Sequence, residues 1–100
     1  MAYSYKLHPK AAQEYIASYL WYEEQQSGLG ERFASAVRKR LDDLVTNPER
    51  YPKKKGSFRE IILDKTFPFT IVYFLEKKSS LIVITSIFHT SRHPKHKYRK

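Results

Sequence analysis

Three stretches in the second half of the chain, at residues 57–64, 69–75 and 81–88, constrain the fold more than any other feature. Each is rich in β-branched and aromatic residues, which suit the pleated and partly buried surface of a sheet. The breaks between them are polar and turn-like, and Pro68 stands at the end of the first. Because these breaks are short enough for hairpins, the sequence predicts three antiparallel strands connected as a meander.

The middle stretch is apolar on both of its faces. Successive side chains of a strand point to opposite sides of the sheet. One side receives Phe69, Ile71, Tyr73 and Leu75. The other side receives Thr70, Val72, Phe74 and Glu76. We therefore expect other elements to cover one face, and the second face to remain partly open as a binding surface for a partner.

The first half of the chain predicts one short strand and two helices. Residues 3–7 alternate aromatic with small or polar side chains, as a short strand does. In 10–26 and again in 29–46 the apolar residues recur at spacings of three and four, which gives each helix one apolar stripe. Gly28 favours the end of the first helix, and Pro48 disfavours the helical conformation at the residue before it.

The predicted order of elements is β-α-α-β-β-β. It indicates an α+β fold in which a helical hairpin packs on one face of a mostly antiparallel four-stranded sheet. The aromatic residues Tyr19, Trp21 and Tyr22 of the first helix are interpreted as core residues rather than as a platform for nucleic-acid bases. One hundred residues predict a single domain, 1–100, whose basic and polar tail from about residue 90 we expect to fray.

The composition excludes several classes of protein. There are no cysteines, so the chain has neither a disulfide framework nor thiolate chemistry. No apolar run approaches the roughly 18 residues of a membrane span, and the N-terminus lacks the apolar core of a signal peptide. We expect a cytoplasmic protein that does not bind membranes.

The net charge of +9 is the strongest compositional signal. Such a charge either serves solubility or attracts an anionic partner, such as nucleic acid, the ribosome or an acidic protein. Clustering favours the anionic partner, because three lysines are consecutive and no acidic residue follows Glu76. The residues predicted to bind nucleic acid or another target are Lys53, Lys54, Lys55, Lys95, Lys97 and Arg99.

Five segments of the chain resemble a known family. They are Trp-Tyr-Glu-Glu at 21–24, the segment 27–33, Asn-Pro-Glu-Arg-Tyr-Pro at 47–52, and the segments 67–73 and 87–92. With the order of elements, they resemble the RelE/ParE superfamily of bacterial toxins from two-gene toxin–antitoxin modules, over essentially the whole chain. The resemblance implies a small basic type II toxin (a plasmid stabilisation protein). It also implies a short antitoxin, whose peptide lies over the sheet and helices and keeps the toxin inactive.

The superfamily divides by target, and the resemblance leaves both branches open. A RelE-like member implies a metal-independent ribonuclease that cuts messenger RNA in the ribosomal A site. A ParE-like member implies an inhibitor of DNA gyrase without ribonuclease chemistry. The helical hairpin is closer to the ParE-like side, so gyrase is the favoured target and the ribosome-dependent endoribonuclease is the alternative. A plain nucleic-acid-binding domain is the third hypothesis.

Metal-free RNA cleavage would require a base for the 2′-hydroxyl proton, an acid for the leaving oxygen and cations for the phosphate. The candidates for these roles are His89, Arg92, Arg59 and Tyr98. A histidine exchanges protons near neutral pH, and the spacing of Arg92 and Tyr98 resembles that of an arginine and a tyrosine near the C-terminus of RelE-like nucleases. RelE-like enzymes usually carry an arginine at the position of Thr70, so Arg59 on the adjoining strand is the candidate replacement.

No cofactor or metal site is expected. His93 and His96 are three residues apart, but no Asp, Glu or Cys accompanies them in the tail. Gly28 and Gly30 belong to the predicted turn between the helices and not to a phosphate-binding loop.

Overall fold

The computed structural model describes residues 3–92 and 94–99. The two N-terminal residues, His93 and Lys100 lie outside this part, and so do the portions of the predicted domain and tail that fall on them. No helix in the described part is long and apolar enough to span a membrane. The elements follow in the order β1 (Ser4–Leu7), α1 (Pro9–Gln25), α2 (Leu29–Thr46), β2 (Lys53–Lys55), β3 (Phe58–Ile62), β4 (Phe69–Glu76), a single 3₁₀ turn (Lys77–Ser79) and β5 (Leu81–His89).

The predicted helical hairpin and meander are confirmed. Helix α2 spans the predicted 29–46, and each end of α1 lies one residue before its predicted position. Strands β3, β4 and β5 form antiparallel ladders, in which Ile61 pairs with Ile71 and Ile71 with Ile87.

The sheet is mixed and has five strands, so the prediction of a four-stranded sheet is wrong. Its order is β1-β5-β4-β3-β2; β1 runs parallel to β5, and the other neighbours are antiparallel. The additional strand is β2, which pairs with β3 at the edge of the sheet. Its three lysines are all exposed, as is usual for an edge strand. A run of three lysines lacks the alternation of apolar and polar residues from which a strand is predicted.

A carboxylate, that of Glu23, binds the backbone of the turn between the helices. Glu23 accepts hydrogen bonds from the backbone N–H groups of Gly28 and Gly30, each at 2.9 Å. Gly28 has no side chain with which to cap α2, so Glu23 satisfies donors at the start of that helix. Gly30 permits the close approach of the two helices, since a Cβ atom there would lie 2.8 Å from the carbonyl oxygen of Tyr19.

Helices α1 and α2 bury one face of the sheet in an aromatic core. Phe33 of α2 is fully buried, and its ring centroid lies between 4.9 and 5.9 Å from those of Tyr15, Tyr22, Phe67 and Phe69. Aliphatic side chains from α2 and the sheet fill the space around these rings, namely Val37, Leu41, Leu44, Ile61, Ile71, Ile82, Ile84 and Ile87. This packing holds the hairpin on the sheet.

The opposite face of the sheet is partly covered by the C-terminal tail, residues 94–99. Its apolar cluster consists of Phe58, Val72, Phe74, Val83 and Phe88. Tyr98 of the tail packs against this cluster, with its ring centroid 5.3 Å from that of Phe58. Polar contacts hold residues 97–99 across the strands, and the expectation that the tail frays stays a prediction.

Helix α1 also carries apolar side chains on its solvent side. Tyr19 and Tyr22 pack against the core as predicted, but Trp21 is 57% exposed, so its prediction as a core residue is wrong. Ile16 and Leu20 are 56% and 54% exposed. Because these two are four residues apart, they share one face of the helix, which is directed away from the sheet.

Candidate functional site

The polar interior of the sheet centres on a bulge in β5. Val72 pairs with Ser86, whereas the next residue of β4, Tyr73, pairs with Ile84, so Thr85 is an extra residue in β5. Thr85 and Ser86 are fully buried. Their polar groups therefore need partners outside the regular ladder.

On the helix side of this bulge, Glu14 of α1 is the partner. Its carboxylate accepts hydrogen bonds from Ser86 Oγ and from the backbone N–H of Ile87, each at 2.9 Å. The bulge thereby ties α1 to β5.

On the opposite side, the bulge and a carboxylate anchor the tail. Thr85 Oγ1 donates to the carbonyl oxygen of Lys97 at 2.9 Å, and the guanidinium of Arg99 donates to the carbonyl oxygen of Thr85. Glu60 of β3 accepts from the hydroxyl of Tyr98 and forms an ion pair with Lys97 at 3.3 Å. Four polar contacts thus hold three consecutive tail residues.

We call Glu60 with its two tail partners, Lys97 and Tyr98, the anchor. Their surroundings shift the pKa values of both partners. Burial raises the pKa of Tyr98, and the hydrogen bond to Glu60 raises it further. Burial lowers the pKa of Lys97, but the charge of Glu60 and the hydrogen bond to it outweigh burial, so the pKa of Lys97 is raised. At neutral pH the anchor therefore contains a protonated phenol and a charged lysine.

Basic residues from two distant parts of the sequence line one pocket, which we call the basic pocket. Its volume is about 660 Å³, and its lining includes Lys55, Lys95, His96, Tyr98 and Arg99. The ammonium group of Lys55 lies 5.8 Å from the ring centroid of Tyr98. Lys53 and Lys54 are exposed on the same edge strand as Lys55, whereas Lys97 is paired with Glu60. Three of the six predicted target-binding residues therefore line the pocket, and two are on the strand beside it.

Arg59 holds the connector between α2 and β2 against the sheet. Its side chain is buried, and its guanidinium donates to the carbonyl oxygens of Glu49, at 3.3 Å, and of Tyr51. Beside it, the hydroxyl of Tyr73 donates to the carbonyl oxygen of Pro48 at 2.8 Å, and burial raises the pKa of Tyr73 to about 12. Sequence reasoning missed this arrangement, although two prolines in the connector mark it as a rigid segment that backbone-directed donors can hold.

His89 and Arg92 line a second pocket, which lies between α1 and the end of β5 and which we call the α1 groove. Its volume is about 640 Å³, and Trp21 and Phe88 form part of its apolar wall. His89 Nδ1 lies 2.8 Å from Ser91 Oγ. Arg92 is exposed and forms no ion pair with another described residue.

The four predicted catalytic residues consequently lie in three places. His89 and Arg92 line the α1 groove, Tyr98 lies on the opposite face of the sheet, and Arg59 contacts the connector. The fold does not bring them together in one cluster.

Arg59 and Thr70, the position at which RelE-like enzymes usually carry an arginine, lie on different sides of the sheet. Arg59 pairs with Tyr73, so both side chains project to the helix side of the sheet, whereas Thr70 projects to the other side. Thr70 is buried, and its hydroxyl lies 3.2 Å from that of Thr90. The position therefore holds a neutral hydroxyl pair rather than a cation.

Within residues 3–92 and 94–99, no three His, Asp or Glu side chains are grouped as metal ligands would be. His96 is an exposed residue of the basic pocket. Its predicted neighbour His93 lies outside the described residues.

Comparison with solved structures identifies the class of fold. The chain is similar to the E. coli toxin RelE in the free state, in a mutant with two arginines replaced by alanine. The two chains are 18% identical, with a TM-score of 0.63, and the match covers 91% of this chain and 86% of that one. The α+β fold described above is therefore shared with RelE.

Comparison with family models identifies the family. Residues 5–94 match the model described as the ParE toxin of the type II toxin-antitoxin system, parDE, and the chain belongs to this family. None of the curated proteins matches it. The predicted RelE/ParE superfamily is confirmed: the protein is a type II toxin, a class whose partner is an antitoxin.

Proposed function

We propose that this toxin arrests growth by binding a macromolecular target, of which DNA gyrase is the favoured one, and not by cleaving RNA with its own side chains. The separation of His89 and Arg92 from Tyr98 carries the proposal, since an acid and a base must both reach one substrate to transfer protons. Membership of the ParE family supports gyrase. Gyrase and the ribosome are both cytoplasmic, so we expect the toxin to act there.

The basic pocket is the surface that this proposal assigns to the target. Lys55 and Lys95 both line it although 40 positions separate them in the sequence, and Lys53 and Lys54 extend the positive surface along β2. Charges of one sign on one surface attract an acidic partner and raise the association rate. We therefore expect binding of the target to weaken as the salt concentration rises.

A supercoiling assay with purified gyrase tests the proposal. We expect the wild-type toxin to inhibit supercoiling, and the variant K55E/K95E to need at least about tenfold more protein for the same inhibition. The matched control K39E/K65E has the same change in net charge at exposed lysines of α2 and the β3–β4 loop, so it should inhibit like the wild type. If the toxin arrests cells but leaves supercoiling intact at the same concentration, gyrase is not its target.

The ribosome-dependent endoribonuclease is the second candidate, and one feature of the basic pocket favours it. Lys55, Lys95 and the phenol of Tyr98 occupy one pocket, and such groups bind a phosphate and donate a proton to a leaving oxygen. Mapping of cut sites on translated messages tests it: cleavage that Y98F abolishes would establish this candidate. Loss of cleavage in H89A or R92A would instead implicate the α1 groove. Salt-sensitive binding of nucleic acid without either activity would support the third hypothesis, a nucleic-acid-binding domain.

A further inference from the structure

Glu60 of β3 lies on the face of the sheet that the tail covers, and one of its oxygens binds two donors. Oε2 accepts a hydrogen bond from the hydroxyl of Tyr98 and lies 3.3 Å from Nζ of Lys97. The side chain of Glu60 is only 16% exposed, so these contacts replace most of the water that a carboxylate would otherwise bind. An ammonium and a phenol that converge on one oxygen are also donors that bind a phosphate oxygen.

Positive charge surrounds this carboxylate. The ammonium groups of Lys97 and Lys55 lie 5.0 and 5.8 Å from the ring centroid of Tyr98, and the ring of Tyr98 also lines the basic pocket. Three basic residues of that pocket form no ion pair with another described residue, namely Lys55, Lys95 and Arg99. Within the described residues, the carboxylate that contacts the tail is that of Glu60.

The carboxylate is an obstacle to a phosphate at this position. A phosphate that bound Lys97 and Tyr98 would either displace Glu60 or lie against it. Displacement leaves a partly buried carboxylate without its hydrogen bond and its ion pair, which is costly. Contact sets two negative charges side by side in surroundings of lower dielectric constant than water. Because every nucleotide carries a phosphate, a nucleic-acid strand that crosses β3 meets this obstacle.

A protein partner avoids the obstacle. The fold of such a partner spaces its carboxylates individually, so they can lie against Lys55 and Lys95 while a neutral or donor group lies against Glu60. Discrimination between partners arises from a repulsive element as well as from attractive ones. Glu60 supplies the repulsive element, and the lysines supply the attraction.

We propose that Glu60 fills a phosphate position beside the basic pocket with its own carboxylate, so that the pocket rejects nucleic acid and accepts an acidic protein surface. The proposal deepens the proposed function, and it rests on that function for the pocket being the surface that meets the target. Glu60 is thereby a specificity-determining residue as well as part of the anchor.

Binding of a fluorescein-labelled oligouridine to the full chain, made by cell-free synthesis to avoid its toxicity, tests the exclusion. In fluorescence anisotropy at one fixed salt concentration, we expect E60Q to bind this RNA at least about tenfold more tightly than the wild type. D42N removes one negative charge from the exposed side of α2, so it has the same net charge as E60Q and should stay within about twofold of the wild type. If E60Q binds like the wild type or like D42N, the proposal is overturned.

Y98F separates the charge of Glu60 from its contact with the tail. This variant loses the hydrogen bond between the tail and Glu60 but keeps the carboxylate, so it loosens the tail without removing the negative charge. We expect it to bind the RNA no more tightly than the wild type. If Y98F gains as much affinity as E60Q, exposure of the sheet and not the carboxylate governs RNA binding, and the proposal is wrong.

Inorganic phosphate tests whether the place of the carboxylate accepts a phosphate. E60A leaves a space there, so the backbone amides of residues 95–99 should exchange hydrogen faster than in the wild type. We expect about 50 mM sodium phosphate to slow this exchange at least about threefold relative to sodium chloride at the same pH and ionic strength, because phosphate binds Lys97 and Tyr98 in place of Glu60. Exchange in the wild type should be the same in both salts. Equal exchange of E60A in the two salts overturns the assignment of a phosphate position.

These measurements contain no gyrase, so their outcome is separate from that of the supercoiling assay. A toxin that leaves supercoiling intact refutes gyrase as the target and does not alter the RNA affinities. An E60Q variant that binds RNA like the wild type refutes the role of Glu60 and does not alter the inhibition of supercoiling.

Discussion

The two faces of the sheet are covered in different ways. Two helices cover one face, where Phe33 is surrounded by four aromatic rings and the aliphatic side chains of β4 and β5. On the other face, a six-residue tail covers a smaller cluster, and Glu60 and Thr85 hold it by hydrogen bonds and one ion pair. The first covering depends on buried apolar area and the second on a few polar contacts.

This difference suits a toxin that must be stable and also present a surface to other molecules. A covering held by a few hydrogen bonds opens locally at a lower free energy than the global unfolding of the domain. We therefore expect the helix-covered core to set the stability of the domain, and the exposure of the tail-covered face to change with conditions. The following four predictions test this contrast.

The largest effect is expected for Phe33 in the helix-covered core. Phe33→Ala removes a fully buried ring from the centre of an aromatic cluster and should lower the free energy of unfolding by about 3–5 kcal/mol. Phe74→Ala in the cluster under the tail should cost about 2 kcal/mol, because the tail can collapse onto the space that is left. Urea denaturation of both variants checks the difference, and equal losses would contradict the contrast between the faces.

A smaller loss is expected at the contact between the helices. Gly30→Ala places a Cβ atom 2.8 Å from the carbonyl oxygen of Tyr19 and 2.9 Å from the carboxylate of Glu23, so the helices must separate. We expect a loss of about 1–3 kcal/mol, measured by thermal unfolding. Ser27→Ala in the same exposed turn is the control and should change the stability little. A fully stable Gly30→Ala variant would show that the hairpin tolerates a wider spacing than the structure indicates.

The third prediction concerns the tail. Glu60→Gln and Tyr98→Phe each remove part of the anchor, so the backbone amides of residues 95–99 should exchange hydrogen about tenfold faster, while the free energy of unfolding changes by less than about 1 kcal/mol. Hydrogen exchange followed by mass spectrometry measures the exchange of the tail amides and, from the slowest amides of the core, the free energy of unfolding. Asp42→Asn on α2 is the matched control. Loss of global stability in step with tail exchange would mean that the tail is part of the main core.

The smallest effect is expected from the ionisation of Tyr73, which is buried, and of Tyr98, which is partly buried, and it appears only in alkali. Burial raises the pKa of Tyr73 to about 12, and burial followed by the bond to Glu60 raises that of Tyr98. Both native pKa values exceed the unfolded value of about 10. The stability they contribute is therefore complete below about pH 10 and is lost as the pH rises through the native pKa values. The raised pKa of Lys97 acts in the same direction.

Ultraviolet titration of tyrosinate tests this pH dependence. Tyr73→Phe should remove an ionisation step near pH 12, whereas Tyr98→Phe should remove the step that accompanies release of the tail. If Tyr98→Phe leaves the alkaline release of the tail unchanged, the phenol is not the group that controls it.

Much of the fold was predictable because it depends on local patterns. The periodicity of 29–46 predicted α2 without error, since an apolar stripe at helical spacing is a property of neighbouring residues. The β-branched runs at 57–64, 69–75 and 81–88 predicted β3, β4 and β5 for the same reason. Strand β2 escaped prediction because three exposed lysines have no pattern of burial, and only pairing with β3 makes them a strand.

The candidate site was less predictable because its contacts join distant residues. Lys55, Lys95 and Arg99 were predicted to act in target binding, and they line one pocket only because the tail folds back over the sheet. The buried role of Arg59 depends on carbonyl groups of the connector. Backbone acceptors are the same at every position, so the sequence does not indicate which of them a side chain will reach.

Composition and spacing by themselves determined the α+β class, the helical hairpin, the meander and the strongly basic surface, because charge and periodicity are carried by residues close in the chain. Only the tertiary structure decided that the tail covers the second face, that β1 lies parallel to β5, and that the candidate catalytic residues lie apart. Those outcomes depend on which of many possible long-range contacts satisfies buried polar groups such as Thr85 and Glu60. Which contact forms depends on the packing of the whole molecule and not on any one segment of the sequence.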